Sequence, residues 1–239
     1  MNNIGILGYG EVGKAVSCLY KFSEKSPKIK DLEDDTDLNN LDILHVCIPF
    51  SDTFEQTIIE TLETNKPKHC IIHSTVAPHT TKNINDKTNN IFKVCHSPVR
   101  GIHPNLLQGL LTFESYFGCD FDLESLEKHL LSLGLKIKKV SSLTSETAKL
   151  LDTTYYGLCI AWHGEVKKIC DQLNINFEEV STDYNKSYNE GYKKLGKENV
   201  VRPVLYAPEN IGGHCVIPNT EILKNHFKSL AFDLILLYK

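Results

Sequence analysis

Six residues near the amino terminus constrain this chain more than any other feature. Gly8-Tyr9-Gly10-Glu11-Val12-Gly13 follows the apolar run Asn3–Leu7 and precedes a stretch of helical periodicity, Lys14–Phe22. A G-x-G-x-x-G set between strand and helix is the fingerprint of a dinucleotide-binding βαβ unit. The glycines allow a tight turn and close backbone approach, and the helix start presents unbonded N–H groups to a diphosphate. About 20 residues further on such a site expects a carboxylate for the ribose 2′-hydroxyl. Asp31 stands there, with Glu33 and Asp34 as fallbacks, and its charge disfavours a 2′-phosphate. The cofactor expected is therefore NAD rather than NADP.

The pattern that follows extends the parallel sheet. Lys28–Asp31 reads as a weak second strand. Ile43–Ile48, Cys70–Ser74, Phe92–Cys95, Phe113–Phe117 and Leu135–Val140 read as further strands. Helical spacing covers Thr53–Glu63 and the region around Leu123–Leu133, and Ala77-Pro78 opens a short helix. The turns Cys47-Ile48-Pro49 and Ser74-Thr75 end two of these strands and complete the expected cofactor set. After Val140 the pattern becomes helical. Thr144–Leu173 holds apolar residues at helical spacing with no proline, Phe177–Leu195 is a more polar helix, and Arg202–Pro218 is irregular. Asn219–Tyr238 reads as one closing helix. The expected architecture is an α/β Rossmann-like, mostly parallel sheet over residues 1–142, then a mainly helical region over 143–239.

Composition narrows the class. The 239 residues carry a formal charge of -4, which argues against a nucleic-acid partner held by bulk positive charge. No apolar run approaches the roughly 20 residues that span a bilayer, and the first residues lack a secretory signal. A soluble cytoplasmic protein with no membrane partner is the expectation. The 8 cysteines form no C-x-x-C pair and none sits at zinc-ligand spacing, so neither a metal nor a disulfide framework is expected. Cys47, Cys70 and Cys95 interrupt apolar runs, where a thiol serves as a small hydrophobe.

Only Cys215 has a setting that suggests chemistry. It lies in Ile211-Gly212-Gly213-His214-Cys215-Val216-Ile217-Pro218, where glycines bring backbone close to a ligand beside an exposed thiol. Such a thiol can add to an aldehyde, with His214 or a lysine assisting. Arg100 and Arg202, the two arginines among 26 basic residues, are candidates for bidentate contact with a phosphate or carboxylate. His103 lies three residues beyond Arg100.

Four motifs occur in order: Gly8–Gly13; His73-Ser74-Thr75-Val76-Ala77-Pro78; Ser145-Glu-Thr-Ala-Lys149 with Tyr155 and Glu165 beyond; and Gly212-Gly213-His214-Cys215. Together they resemble the UDP-glucose/GDP-mannose dehydrogenase family of nucleotide-sugar dehydrogenases, over nearly the whole chain. Its branch for N-acetylated UDP-hexosamines also carries Gly-Gly-His-Cys. The resemblance implies NAD-dependent oxidation of a sugar or nucleotide-sugar alcohol through an aldehyde held as a thiohemiacetal on Cys215. It assigns Lys149 to stabilising oxyanions, Thr75 to positioning water near the nicotinamide, and the 144–173 helix to a homodimer.

Three positions depart from the family pattern. Thr153 replaces an asparagine, Asn219 an aspartate, and Val99 a glutamate. Thr153 and Asn219 stay in the candidate catalytic set with Cys215, Lys149 and Thr75; Arg100, His103, Arg202, Gly213 and His214 form the candidate substrate set. The family's C-terminal nucleotide-diphosphate domain needs on the order of 100–150 further residues, so a chain lacking it is expected. Two alternatives remain: an NAD-binding relative without activity, and a β-hydroxyacid-dehydrogenase-like reductase, which needs no thiol.

Overall fold

In a computed structural model describing residues 1–21, 26–32, 34 and 36–239, the chain forms two compact units, Met1–Lys149 and Leu150–Lys239. Two residues named from sequence, Phe22 and Glu33, lie outside the described residues. In the first unit seven strands make one sheet: β1 (Ile4–Leu7), β2 (Lys28–Lys30), β3 (Ile43–Val46), β4 (His69–Ile72), β5 (Val94–His96), β6 (Glu114–Gly118) and β7 (Lys136–Val140). Their order is β2-β1-β3-β4-β5-β6-β7. All neighbours run parallel except β5 and β6, which meet antiparallel through the single register pair His96↔Gly118.

Helices α1 (Glu11–Leu19), α2 (Phe54–Asn65), α3 (Thr80–Lys87), α4 (Leu106–Thr112) and α5 (Glu124–Ser132) cover this sheet. Ile4, Ile6 and Ile71 join Val16 of α1, Leu110 of α4 and Leu130 of α5 on one face. Leu44, Val46 and Ile72 join Ile58 of α2 and Ile84 of α3 on the other. Continuous apolar strands buried on both faces are what a parallel sheet demands. Helix α4 was not expected, because seven residues with a central glycine make too short a period to register.

The buried histidines His45, His73 and His96 within this core are paired. His73 Nδ1 lies 2.7 Å from the Ser97 carbonyl, which only accepts, so Nδ1 carries the proton. His73 Nε2 then accepts from His45 Nδ1 at 2.8 Å, and His45 Nε2 accepts from the Tyr20 hydroxyl at 2.7 Å. His96 Nε2 donates to the Ser74 carbonyl at 3.0 Å, and its Nδ1 accepts from Ser145 Oγ at 2.9 Å. Each ring is neutral and of one tautomer.

Helix α6 (Ser142–Leu173) starts in the first unit and runs on through the second. Ser142 N–H and Oγ both donate to the Asp120 carboxylate, which starts the helix. One turn later the fully buried Glu146 accepts from the N–H groups of His79 (2.8 Å) and Thr81 (2.7 Å), at the start of α3. A carboxylate at a helix N-terminus meets both the unbonded N–H groups and the positive end of the dipole. Burial nevertheless holds Glu146 above the usual carboxylate range.

In the second unit a π-helical turn (Glu178–Asp183) leads into α7 (Tyr184–Lys194). The expected single closing helix is in fact two, α8 (Val216–His226) and α9 (Leu230–Leu236). Phe227 is extended, and Ser229 starts the new helix by accepting from Ala231 N–H at 3.2 Å. The core of this unit gathers Ala161 of α6, Val216 and Ile217 of α8, and Ile235 and Tyr238 at the carboxyl end.

Candidate functional site

Strand order fixes where a ligand can lie in the first unit. β1 has β2 on one side and β3 on the other, so the chain reverses direction across the sheet at β1/β3. In open α/β sheets, ligands bind at the carboxyl ends of the strands at such a switch point. Here the glycine turn leaves β1 and Cys47-Ile48-Pro49 leaves β3. The turn is fastened to both neighbours: Gly8 N–H donates to Lys30 O at 2.8 Å, and Cys47 N–H donates to Leu7 O at 2.7 Å.

Gly8 has φ of +91°, and a Cβ there would lie 2.9 Å from the Cys47 carbonyl carbon and from Ile48. A Cβ on Gly13 would come within 2.0 Å of the Gly8 carbonyl oxygen. These two glycines let α1 start hard against β1. Gly10, the N-cap of α1, faces open space: a Cβ there meets nothing within 4 Å. The cradle therefore has room above Gly10, and the N–H groups of Glu11, Val12 and Gly13 open the helix. Helix α1 begins at Glu11, three residues before the periodicity suggested, which brings these residues into its first turn. Tyr9 lies against Lys14, whose ammonium sits 5.8 Å from the ring centroid.

The remaining expected cofactor residues border the same edge. Asp31 is exposed just past β2, where its carboxylate also accepts from Leu32 N–H at 3.0 Å. Burial pushes the Cys47 thiol up, which suits a packing role. Ser74 Oγ donates to Ile48 O at 2.5 Å, tying the turn after β4 to the turn after β3, with Thr75 half-buried beside it. A dinucleotide, which needs a glycine turn, a helix start and a carboxylate past β2, fits what these residues offer.

Lys149 is half-buried, and its charge is among the causes that lower His96 behind burial, the largest; the His96 imidazole sits at about 3. His103 Nδ1 pairs with the Glu11 carboxylate, so a residue expected for substrate stands at the first turn of α1. The half-buried Arg100 lies over the Phe113 ring, 5.1 Å from its centroid. Val99 is buried at 6% exposure.

In the second unit, Cys215 is the N-cap of α8 and is partly exposed; His214 and Gly213 before it are exposed, and Gly213 has φ of +86°. The adjacent Val216 sits where a Cβ on Gly157 of α6 would be, 2.4 Å from its Cγ1. That contact seats the thiol loop on the long helix. Asn219 is buried at 6% exposure, one turn into α8, and donates its N–H to the Cys215 carbonyl at 3.1 Å. Thr153 is half-buried on α6. Arg202 is exposed and stacks on Tyr188, 3.5 Å from the ring centroid, while Asn189 holds its backbone from both sides. Among the described residues no cluster of His, Cys, Asp and Glu could hold a metal, and no helix is long and apolar enough to cross a membrane.

No family model matches the chain. A UDP-N-acetyl-D-mannosamine dehydrogenase of Methanococcus maripaludis is 29% identical over 150 residues, covering 61% of this chain. The matched stretch spans 32% of that relative, so about two thirds of its length lies outside the similarity. The solved UDP-D-ManNAc dehydrogenase of Pyrococcus horikoshii superposes with a TM-score of 0.81 at 18% identity, over 98% of this chain and 68% of the other. A 3-hydroxyisobutyrate dehydrogenase of Mycobacterium tuberculosis shares the fold at a TM-score of 0.70 and 13% identity, over 100% of this chain and 92% of its own. Sequence similarity thus points to the same group as the four ordered motifs, while the fold extends to a neighbouring class. This chain is similar in sequence, over 61% of its length, to UDP-N-acetyl-D-mannosamine dehydrogenases, and it shares its fold with solved dehydrogenases of that name.

Proposed function

We propose that the chain is an NAD-dependent oxidoreductase that acts on a sugar or nucleotide-sugar alcohol and carries the aldehyde on Cys215. The observation that supports this most is the presence in one chain of a glycine cradle at the β1/β3 switch point and a partly exposed thiol capping α8. Gly8, Gly10 and Gly13, with the N–H groups of Glu11 to Gly13, hold the diphosphate; Asp31 accepts from the adenosine ribose. Cys47-Ile48-Pro49, Ser74 and Thr75 wall the crevice. NAD, when bound, supplies the hydride acceptor. Cys215 Sγ adds to the aldehyde carbon, giving a thiohemiacetal that keeps a C–H able to leave as a second hydride. Lys149 contributes positive charge where the substrate oxygen becomes anionic. Arg100, His103, Arg202, Gly213 and His214 are the substrate candidates.

The second reading, an NAD-binding relative without activity, draws on the buried Asn219 and Val99. An amide cannot take a proton as a carboxylate can, and a buried valine offers no polar atom. One experiment separates the two. Incubated with NAD and a panel of UDP-hexoses and UDP-N-acetylhexosamines, the wild type forms NADH, and Cys215→Ala loses that rate by about 10³-fold or more. Equal background rates in both proteins, on every substrate, eliminate the thiol mechanism; tight NADH binding would then leave the second reading standing.

The proposal includes a homodimer through α6. Its residues Leu151, Tyr155, Trp162, Ile169 and Leu173 are all exposed, and an apolar stripe of that kind on one helix fits a partner surface. Light scattering after size exclusion should give twice the chain mass of 27.0 kDa, and Trp162→Glu should reduce it to one. A wild-type monomer at micromolar concentration refutes the dimer.

A further inference from the structure

The antiparallel junction of the sheet holds a second pair of reactive groups. His96↔Gly118 is its register pair, so one step outward sets Cys95 of β5 opposite Cys119, just past β6. Both side chains enter the same core cluster. Their sulfurs lie 2.9 Å apart, with Cys95 Sγ donating to Cys119 Sγ. A disulfide needs about 2.05 Å between sulfurs on neighbouring backbones, so closure asks for a movement of about 0.9 Å. None of the candidate site residues includes either thiol.

We propose that Cys95 and Cys119 form a redox modification site, oxidised by a hydroperoxide to an intrachain disulfide that staples β5 to β6. Cys119 is the attacking sulfur. The thiol contact from Cys95 holds it below the ordinary range, while the same contact, together with burial, pushes Cys95 up. Cys119 also retains 5% exposure where Cys95 has none. With hydrogen peroxide, the Cys119 sulfur attacks one oxygen, the O–O bond breaks, and water leaves with a sulfenic acid remaining on Cys119. The Cys95 sulfur then attacks that sulfenic sulfur, and its proton departs with the hydroxyl as a second water. Two thiols lose two electrons and one peroxide bond gains them.

The staple matters because of where it falls. It closes a loop between residues 24 apart in sequence, beside a junction made through one register pair, whereas β6 and β7 share five. Closing such a loop removes freedom from the unfolded chain.

The test treats native protein with stoichiometric hydrogen peroxide, then alkylates under denaturing conditions and maps the peptides. The expected product has lost 2 Da, lacks two of its 8 thiols, and yields a peptide pair joined through Cys95 and Cys119. Its Tm rises by roughly 5–10 °C and falls back with reductant. Cys95→Ala and Cys119→Ala each abolish the linked pair, so one that folds poorly leaves the other to decide. Finding both thiols alkylated, either sulfur carried to a sulfinic acid, or the lost thiols elsewhere overturns the site; a disulfide without a rise in Tm overturns the staple.

Discussion

Replacing Gly13 by alanine should abolish dinucleotide binding and unsettle the first unit as well. The new methyl group would lie 2.0 Å from the Gly8 carbonyl oxygen and 3.0 Å from its carbon. Both are backbone atoms in a turn fastened to β2 and β3, so neither can swing aside as a side-chain tip would. Forcing α1 outward costs about 1–3 kcal/mol, as overpacking does elsewhere, which at roughly 2–4 °C per kcal/mol lowers Tm visibly. It also moves the helix start to which the proposed function assigns the diphosphate. Gly10→Ala is the control, because its methyl group meets nothing within 4 Å. That variant should keep its Tm and weaken NADH binding alone. Thermal melts with NADH fluorescence titrations decide: a Gly13→Ala protein with wild-type Tm and affinity would show that the close approach of α1 to β1 is dispensable.

Acid should destabilise this protein sooner than its surface charge suggests. Burial lowers His73 to about 4 and His96 to about 3, and it also lowers His45, with His73 and His129 adding smaller repulsions. An unfolded chain protonates the same rings near 6.5. Below that pH, and down to the native values, the unfolded state binds more protons, so stability falls as pH falls. Each tenfold rise in acidity across that interval removes up to about 1.4 kcal/mol per histidine. His73 alone is then worth on the order of 3 kcal/mol by pH 4, a large share of the roughly 5–15 kcal/mol that holds a domain folded. Glu146 acts in the opposite sense, since its raised carboxyl favours the native state as pH falls, but it is one group against three. Urea midpoints between pH 8 and pH 4 should decline steeply below about 6.5, and His96→Asn should flatten the curve. A midpoint flat from pH 7 to pH 5 would mean that these rings are hydrated in the folded state.

How much of this was legible in the sequence depends on whether the signal is local. β1, β3 and β4 are apolar runs buried on both faces, so composition alone marks them. The glycine turn is visible because its spacing is itself the constraint. Sheet order is not local: nothing in Lys28–Lys30 says that it pairs outside β1 while β3 crosses to the other side. Asn219–Tyr238 keeps one apolar rhythm across Phe227, so the break into α8 and α9 is hidden. Of the candidate site, the glycine turn, Cys47-Ile48-Pro49 and Ser74 lie at one edge of the sheet, while His103 stands with Glu11 on α1. The pairing of Cys95 with Cys119 escaped because each cysteine alone reads as a small hydrophobe, and only the antiparallel register sets them face to face. Histidines inside apolar strands, as in Ile43-Leu44-His45-Val46, were the available hint of a hydrogen-bonded core.

Glu146 has a meaning beyond its two hydrogen bonds. Helices α1 and α3 each begin after a strand, β1 and β4, at the carboxyl edge of the sheet, and each start exposes N–H groups that attract an anion. At α3 the chain has installed its own carboxyl group, delivered by α6 and fully buried. At the N-cap of α1 it has placed Gly10, whose missing side chain leaves that position open, while the Glu11 carboxylate pairs with His103. One helix start is occupied from within, and under the proposed function the other receives its anion, a diphosphate, from without.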